Sequence, residues 1–231
     1  MQWIESIAPN LAKYWDKFTE SCQATVSMFF IAGGITFILG LFFGVILTVT
    51  KQDGIYPNRI LFGIVDIVIN FFRAIPFLIL LIFLIPLTRA LTGTAIGVKG
   101  AIVPLVFGAV PFYTRQVESA LAGVSGGKIE AARSMGSGVF GIVFRVYLHE
   151  AVPDLIRATV ITAISLIGLT TMAGAVGAGG IGSFAINYGQ NLHHLDIVNV
   201  CVIILILCVW LLQSLGSFLA RRTTNRKFWN R

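Results

Sequence analysis

Five apolar intervals bounded by clusters of charge run the length of this chain: Ser21–Thr50, Ile60–Thr88, Gly100–Leu121, Ala151 to about Val176, and Ile197–Ala220. Each meets the roughly 20 residues that a helix needs to cross a bilayer. The intervals predict an all-α membrane protein with five transmembrane helices in one domain, residues 21–220. Composition closes off a soluble fold. Of the 231 residues, 56% are hydrophobic and 12% charged, with a mean hydropathy of +0.87, whereas a soluble domain is about half apolar and a quarter charged.

An odd number of spans puts the termini on opposite sides, and Lys and Arg mark the cytoplasmic one. Arg221, Arg222, Arg226, Lys227 and Arg231 follow the last interval. This predicts a basic cytoplasmic tail at 221–231 and an N-terminus outside. Counting back, Lys51 and Arg59 lie inside, the loop from Arg89 to Lys99 outside, Lys128, Arg133 and Arg145 inside, and the Gly-rich stretch through His193 and His194 outside. The net charge of +7 follows from this topology, and nucleic-acid binding is not needed to explain it.

Ahead of the first span, Leu11, Tyr14, Trp15 and Phe18 recur at i, i+3, i+4 and i+7 after Pro9, with Lys13 and Lys17 off that stripe. The pattern predicts that residues 1–20 form an amphipathic segment on the outer membrane surface. Glu5, Asp16 and Glu20 spoil the basic region of a signal peptide, and the apolar run that follows is too long for one. Cys22, Cys201 and Cys208 lack metal or redox spacing and read as packing residues.

Between the third and fourth intervals lies a polar island, Gly127 to Gly136, with the sequence Gly-Lys-Ile-Glu-Ala-Ala-Arg-Ser-Met-Gly. Good helix formers closed by a residue that tolerates a left-handed turn predict a short helix facing water. The pattern resembles the EAA loop of bacterial ABC importer permeases: Glu-Ala-Ala, three residues, Gly, nine residues, then Ile, any residue, Leu-Pro. Glu130, Ala131, Ala132, Gly136 and Leu148 match, Val146 stands for the Ile, and His149 replaces the Pro. Pro153 lies close by as a substitute breaker.

Several enzyme-like patterns fail on their context. Gly177, Gly179 and Gly182 fit a dinucleotide fingerprint but follow a membrane-length apolar run instead of a strand. Gly126-Gly127-Lys128 is followed by Ile129 where a nucleotide loop needs Ser or Thr. His149-Glu150 would open a zinc-protease motif, but Pro153 occupies the second histidine position. His193, His194 and Asp196 fit a solvated loop or a partner contact better than a metal site.

The resemblance extends over roughly residues 21–220. Arg73-Ala-Ile-Pro-Phe77, Ile85-Pro-Leu-Thr-Arg89, Ala101-Ile-Val-Pro-Leu105, Arg115, Val117-Glu118, the run Ala173–Gly182 and Tyr188-Gly189 are similar to the methionine-importer branch of these permeases. It implies the type I importer permease fold, a second copy of the chain, and two cytoplasmic ABC ATPase subunits. It also implies an external methionine-binding protein delivering L- or D-methionine. ATP and Mg2+ would belong to the ATPase, and this chain would bind no cofactor. Glu130, Ala131, Ala132, Arg133 and Gly136 would couple it to the ATPase within a cytoplasmic loop at about 123–150. Two other readings stay open: a permease for another amino acid or small solute, and a membrane-embedded enzyme or scaffold.

Within the spans, Asp66, Asn70 and Arg73 share one helical face that should look at protein or water, as a structural ion pair or as a pathway lining. Pro76, Pro86, Pro104 and Pro111 are expected to interrupt spans, and Gly40 with Gly44 offers a small-residue contact stripe. Thr162, Ser165, Thr170 and Thr171 precede Met172, the bulkiest side chain between Thr170 and Gly182. Met172 is a candidate gate with core packing as its alternative, and Thr171 is a candidate pathway residue, with hydroxyls bonding their own helix carbonyls as the alternative.

Overall fold

In the computed structural model, residues 8–229 are described, the side chains of 225–229 excepted. The first seven residues of the expected outer segment, and Asn230 and Arg231 of the expected tail, lie outside them. The described residues are helical, with no strand among them. Four helices are long and apolar enough to cross a membrane: Trp15–Thr50, Gly97–Ala122, Val152–Ala178 and Leu195–Thr224. A fifth span results if the consecutive helices Arg59–Ala74 and Phe77–Phe83 are counted as one.

That pair corrects the reading of Ile60–Thr88 as a single helix. The chain forms three helices there, Arg59–Ala74, Phe77–Phe83 and Ile85–Thr92. Pro76 lacks the N–H that would continue the ladder and steers Ile75 away from the α region. Pro86 sits in the first turn of the third helix, where a missing N–H is harmless. Pro104 and Pro111 do not interrupt anything, because Gly97–Ala122 runs through both. At membrane depth, neighbouring helices and local adjustments can satisfy the freed backbone groups.

The chain divides into two compact units. The first comprises Met1–Gly34, Ile75–Gly108 and Ala163–Leu212. Its core joins Leu11 and Phe18 to Ile181, Phe184, Ile197 and Cys201. The stripe expected on a membrane surface therefore packs against protein. Two features explain this. The Trp15–Thr50 helix has 36 residues, so at 1.5 Å per residue it is roughly 54 Å long, well beyond a 30 Å hydrocarbon core, and its start needs another apolar partner. The backbone N–H and side-chain amide of Asn10 also donate to the two carboxylate oxygens of Asp196 at 3.0 and 3.1 Å, pinning the segment at the start of the last helix.

The second unit comprises Ile35–Ala74, Ala109–Thr162 and Gln213–Arg231. Here the expected glycine stripe makes its contact. A Cβ on Gly40 would lie 2.6 Å from Tyr113 Cδ1, and one on Gly44 2.5 Å from Val117 Cγ1. Both pairs are spaced i, i+4, so two helix faces meet with backbone in the groove. Tyr113 is fully buried, and its hydroxyl bonds Thr159 Oγ1 at 2.8 Å. Tyr113 and Val117 carry the core on toward Ala132, Ile142, Tyr147 and Ala151, beneath the island.

Candidate functional site

The island folds as the expected short helix, Gly126–Ser134. Its end is a Schellman turn: the N–H of Ser137 donates to the Ala132 carbonyl at 3.0 Å and that of Gly136 to the Arg133 carbonyl at 2.9 Å. This geometry needs a left-handed residue at Gly136, whose φ is +78°. A Cβ there would meet nothing within 4 Å, so dihedral preference, not space, selects glycine.

The five candidate coupling residues do not share a direction. Ala132 is buried against the second unit's core, and its methyl is the seat of the helix. Glu130, Ala131 and Arg133 are exposed. The Arg133 guanidinium reaches the Gly54 carbonyl at 3.4 Å, tying the helix to the turn after the Trp15–Thr50 helix. At the other end Lys128 pairs with Glu150 at 2.7 Å. Burial pushes the Tyr147 phenol above its ordinary range, and nearby Arg133 opposes that. His149 is exposed in a short helical segment, Leu148–Glu150, and Pro153 falls in the first turn of Val152–Ala173.

Sequence reasoning missed the apolar half of this surface. Met135, Phe140 and Phe144 are 78%, 81% and 64% exposed, beside a helix otherwise seated by Ala132. Phe140 and Phe144 stand four apart in a segment bounded by charge, which was the available signal. Large apolar side chains left uncovered beside a polar rim are available for contact with a partner or with lipid.

The polar face of the second interval also finds a different partner. Asp66 and Asn70 bond each other at 3.0 Å, but the cation between them is Arg115. Its guanidinium donates to Asp66, to Asn70 Oδ1 at 2.9 Å and to Glu118 at 2.7 Å. Arg73 is exposed and has no ion pair or hydrogen bond among the described residues. One cation thus serves two carboxylates, and Arg115 Nε is buried without an acceptor among the described residues.

In the first unit, Val152–Ala173 ends beside the Gly-rich run. Thr170 and Thr171 both donate their hydroxyls back to the Ile167 carbonyl, at 2.8 and 3.0 Å, and Thr162 donates to that of Ala158 at 2.9 Å. These hydroxyls are committed to their own helix. Met172 is 48% exposed, so within this unit it is not a core residue. After it the backbone leaves helical geometry at Val176 and Gly177 and restarts as Gly180–Phe184.

The chain thus joins a short exposed helix, Gly126–Ser134, to a set of helices long and apolar enough to cross a membrane. The family model described as binding-protein-dependent transport system inner membrane component matches residues 23–228. The chain belongs to this family. It is thus a multi-pass cell-membrane protein, as the motifs implied. Among the relatives of this inner membrane component, the probable D-methionine transport system permease protein MetI of Vibrio cholerae is 43% identical over 96% of this chain and 99% of its own. The D-methionine transport system permease protein MetI of Escherichia coli K12 is 47% identical over 65% and 69%. A solved structure described as inward-facing conformations of the MetNI methionine ABC transporter superposes with a TM-score of 0.88 and 41% identity, covering 91% of this chain and 98% of that one.

Proposed function

We propose that this chain is the permease subunit of an ATP-driven methionine importer, working as a homodimer with two cytoplasmic ATPase subunits and an external binding protein. The observation that carries the reading is the Gly126–Ser134 helix: seated by buried Ala132, closed by Gly136, and flanked by exposed Met135 and Phe140. The names of relatives matched over nearly their whole length support methionine as the cargo.

In this mechanism the ATPase grips the exposed face of Glu130, Ala131 and Arg133 together with Met135, Phe140 and Phe144. Nucleotide enters the energetics only through its different interaction with two transporter states. When ATP draws the ATPase subunits together, the islands follow. Ala132, Ile142 and Tyr147 form one buried cluster with Tyr113 and Val117 of a membrane span, so the helix moves with the span and the pathway changes its open side. The chain itself performs no chemistry, and ATP and Mg2+ are bound by the ATPase.

The orientation follows from charge. With the basic ends Lys51, Arg59, Lys128, Arg133, Arg145, Arg221 and Arg222 inside, and Lys13, Lys17, Arg89 and Lys99 outside, the balance of charge makes the C-terminus cytoplasmic. In a cysteine-free background, Gln190→Cys should react with a membrane-impermeant thiol reagent in intact cells, and Thr223→Cys should react only after permeabilisation. The reverse pattern would remove Glu130 from ATPase reach.

Met172 is the proposed gate. Half exposed beside a glycine-rich break, its flexible thioether can meet its copy across a two-fold axis. Met172→Ala should leave folded yield within about a factor of two, since an exposed site lacks the core penalty. In proteoliposomes it should leak methionine without ATP. A large loss of folded protein with tight coupling in the remainder would return Met172 to packing.

A further inference from the structure

The break between Val152–Ala173 and Gly180–Phe184 poses a backbone problem that the local sequence cannot solve. A helix that restarts leaves its first N–H groups without intrahelical acceptors, and because Gly180, Ile181 and Gly182 are buried, bulk water is not at hand to accept them. The residue at the N-cap position is Gly179, which has no side chain to offer, and no local side-chain cap forms. The acceptor comes from elsewhere. The N–H of Ile181, the second residue of the restarted helix, donates to Thr25 Oγ1 at 2.8 Å, across 156 positions of sequence. A cap hydroxyl ordinarily serves that N–H or the next one, so Thr25 supplies from another helix what Gly179 lacks.

The same hydroxyl is aimed by its own helix. Thr25 Oγ1 donates to the Ser21 carbonyl at 3.0 Å, which turns a lone pair toward Ile181. The approach is possible only because residue 180 is glycine. A Cβ there would stand 2.7 Å from Thr25 Oγ1 and 2.9 Å from Cε of buried Met28, and Gly180 has a φ of +82°. Just upstream, the segment held by this contact presents Met172, Ala175, Val176 and Gly177 outward, all exposed.

We propose that Thr25 is a positioning residue for transport. Its hydroxyl caps the restarted helix in trans and thereby holds the Met172–Gly177 segment in the shape that closes the pathway. The proposal rests on the permease reading above. It assigns the tightness of closure to one hydrogen bond between helices, not to the bulk of Met172 alone.

The test uses the full chain reconstituted in proteoliposomes with its ATPase, in a cysteine-free background carrying Ala175→Cys. Thr25→Val keeps the side-chain volume and removes the hydroxyl, whereas Thr25→Ser keeps the hydroxyl. Thr25→Val should raise the rate at which a methanethiosulfonate reagent modifies position 175 by about fivefold, the opening expected on losing one hydrogen bond of ordinary net strength. It should also lower labelled methionine taken up per ATP hydrolysed. Thr25→Ser should restore both values, which loss of packing alone would not do.

Equal labelling and equal coupling in Thr25→Val and the unsubstituted chain would overturn the assignment. If neither Thr25→Val nor Thr25→Ala accumulates while Thr25→Ser does, the hydroxyl serves folding, and the role in closure is overturned as well. The labelling rate needs no transport, so it still tests Thr25 if the reference chain takes up no methionine, an outcome that contradicts the permease reading instead.

Discussion

Glu130→Lys should abolish ATP-driven uptake while leaving the chain inserted and folded. The Glu130 carboxylate is exposed and makes no hydrogen bond or ion pair among the described residues, so reversing its charge disturbs nothing inside the molecule. Surface substitutions of this kind change stability by about 0.5 kcal/mol or less. Any large loss must therefore arise at a partner. A charge reversed at a desolvated contact costs about 2 to 5 kcal/mol, equivalent to a 30-fold or greater loss of association. The readout is methionine-stimulated ATPase activity and retention of the ATPase on affinity-purified permease. Gly136→Val should give the same phenotype by another route. A β-branched residue at φ +78° opposes the Schellman turn that orients Ala131 and Arg133. Native ATPase retention and uptake in both variants would remove this helix from coupling.

The second large effect is expected at Arg115. Its guanidinium is the sole cation bonded to Asp66 and Glu118 among the described residues, and the three side chains are 20%, 29% and 23% exposed. Arg115→Met leaves two carboxylates facing each other without a counter-charge. Breaking a partly buried network in this way should cost on the order of 3 kcal/mol and collapse the yield of monodisperse protein in detergent. Asp66→Asn with Glu118→Gln in the same background should recover most of that yield, because the uncompensated charge is gone. Arg115→Lys should fall between, since a point charge cannot fork to three acceptors. A stable, active Arg115→Met protein would show the cluster to be dispensable.

How much of this was legible in the sequence depends on the range of the signal. The island helix and its left-handed closure at Gly136 are local, written in ten consecutive residues, and the structure reproduces them. So are the four uninterrupted spans, whose apolar length alone suffices. Proline is local too but ambiguous. Pro76 ends a helix and Pro111 does not, because the outcome depends on what surrounds the freed carbonyl, which the sequence does not state. The partners were out of reach for a different reason. Arg115 meets Asp66 across 49 positions, and Asn10 meets Asp196 across 186, so no helical period connects them. Asp66, Asn70 and Arg73 do lie on one face, yet periodicity could not say that Arg115 of another helix would supply the cation. The stripe from Leu11 to Phe18 was read correctly as apolar and assigned the wrong cover, since lipid and a protein core impose the same 3.6-residue pattern.

The most direct measurement is accumulation of labelled methionine in proteoliposomes holding this chain, its cognate ATPase and the external binding protein, with ATP supplied on the ATPase side. The account predicts accumulation above the outside concentration that requires ATP and the binding protein, is competed by excess unlabelled methionine, and is lost in Glu130→Lys. ATP-independent equilibration, or ATP-driven accumulation that excess methionine does not compete while another solute does, would contradict it.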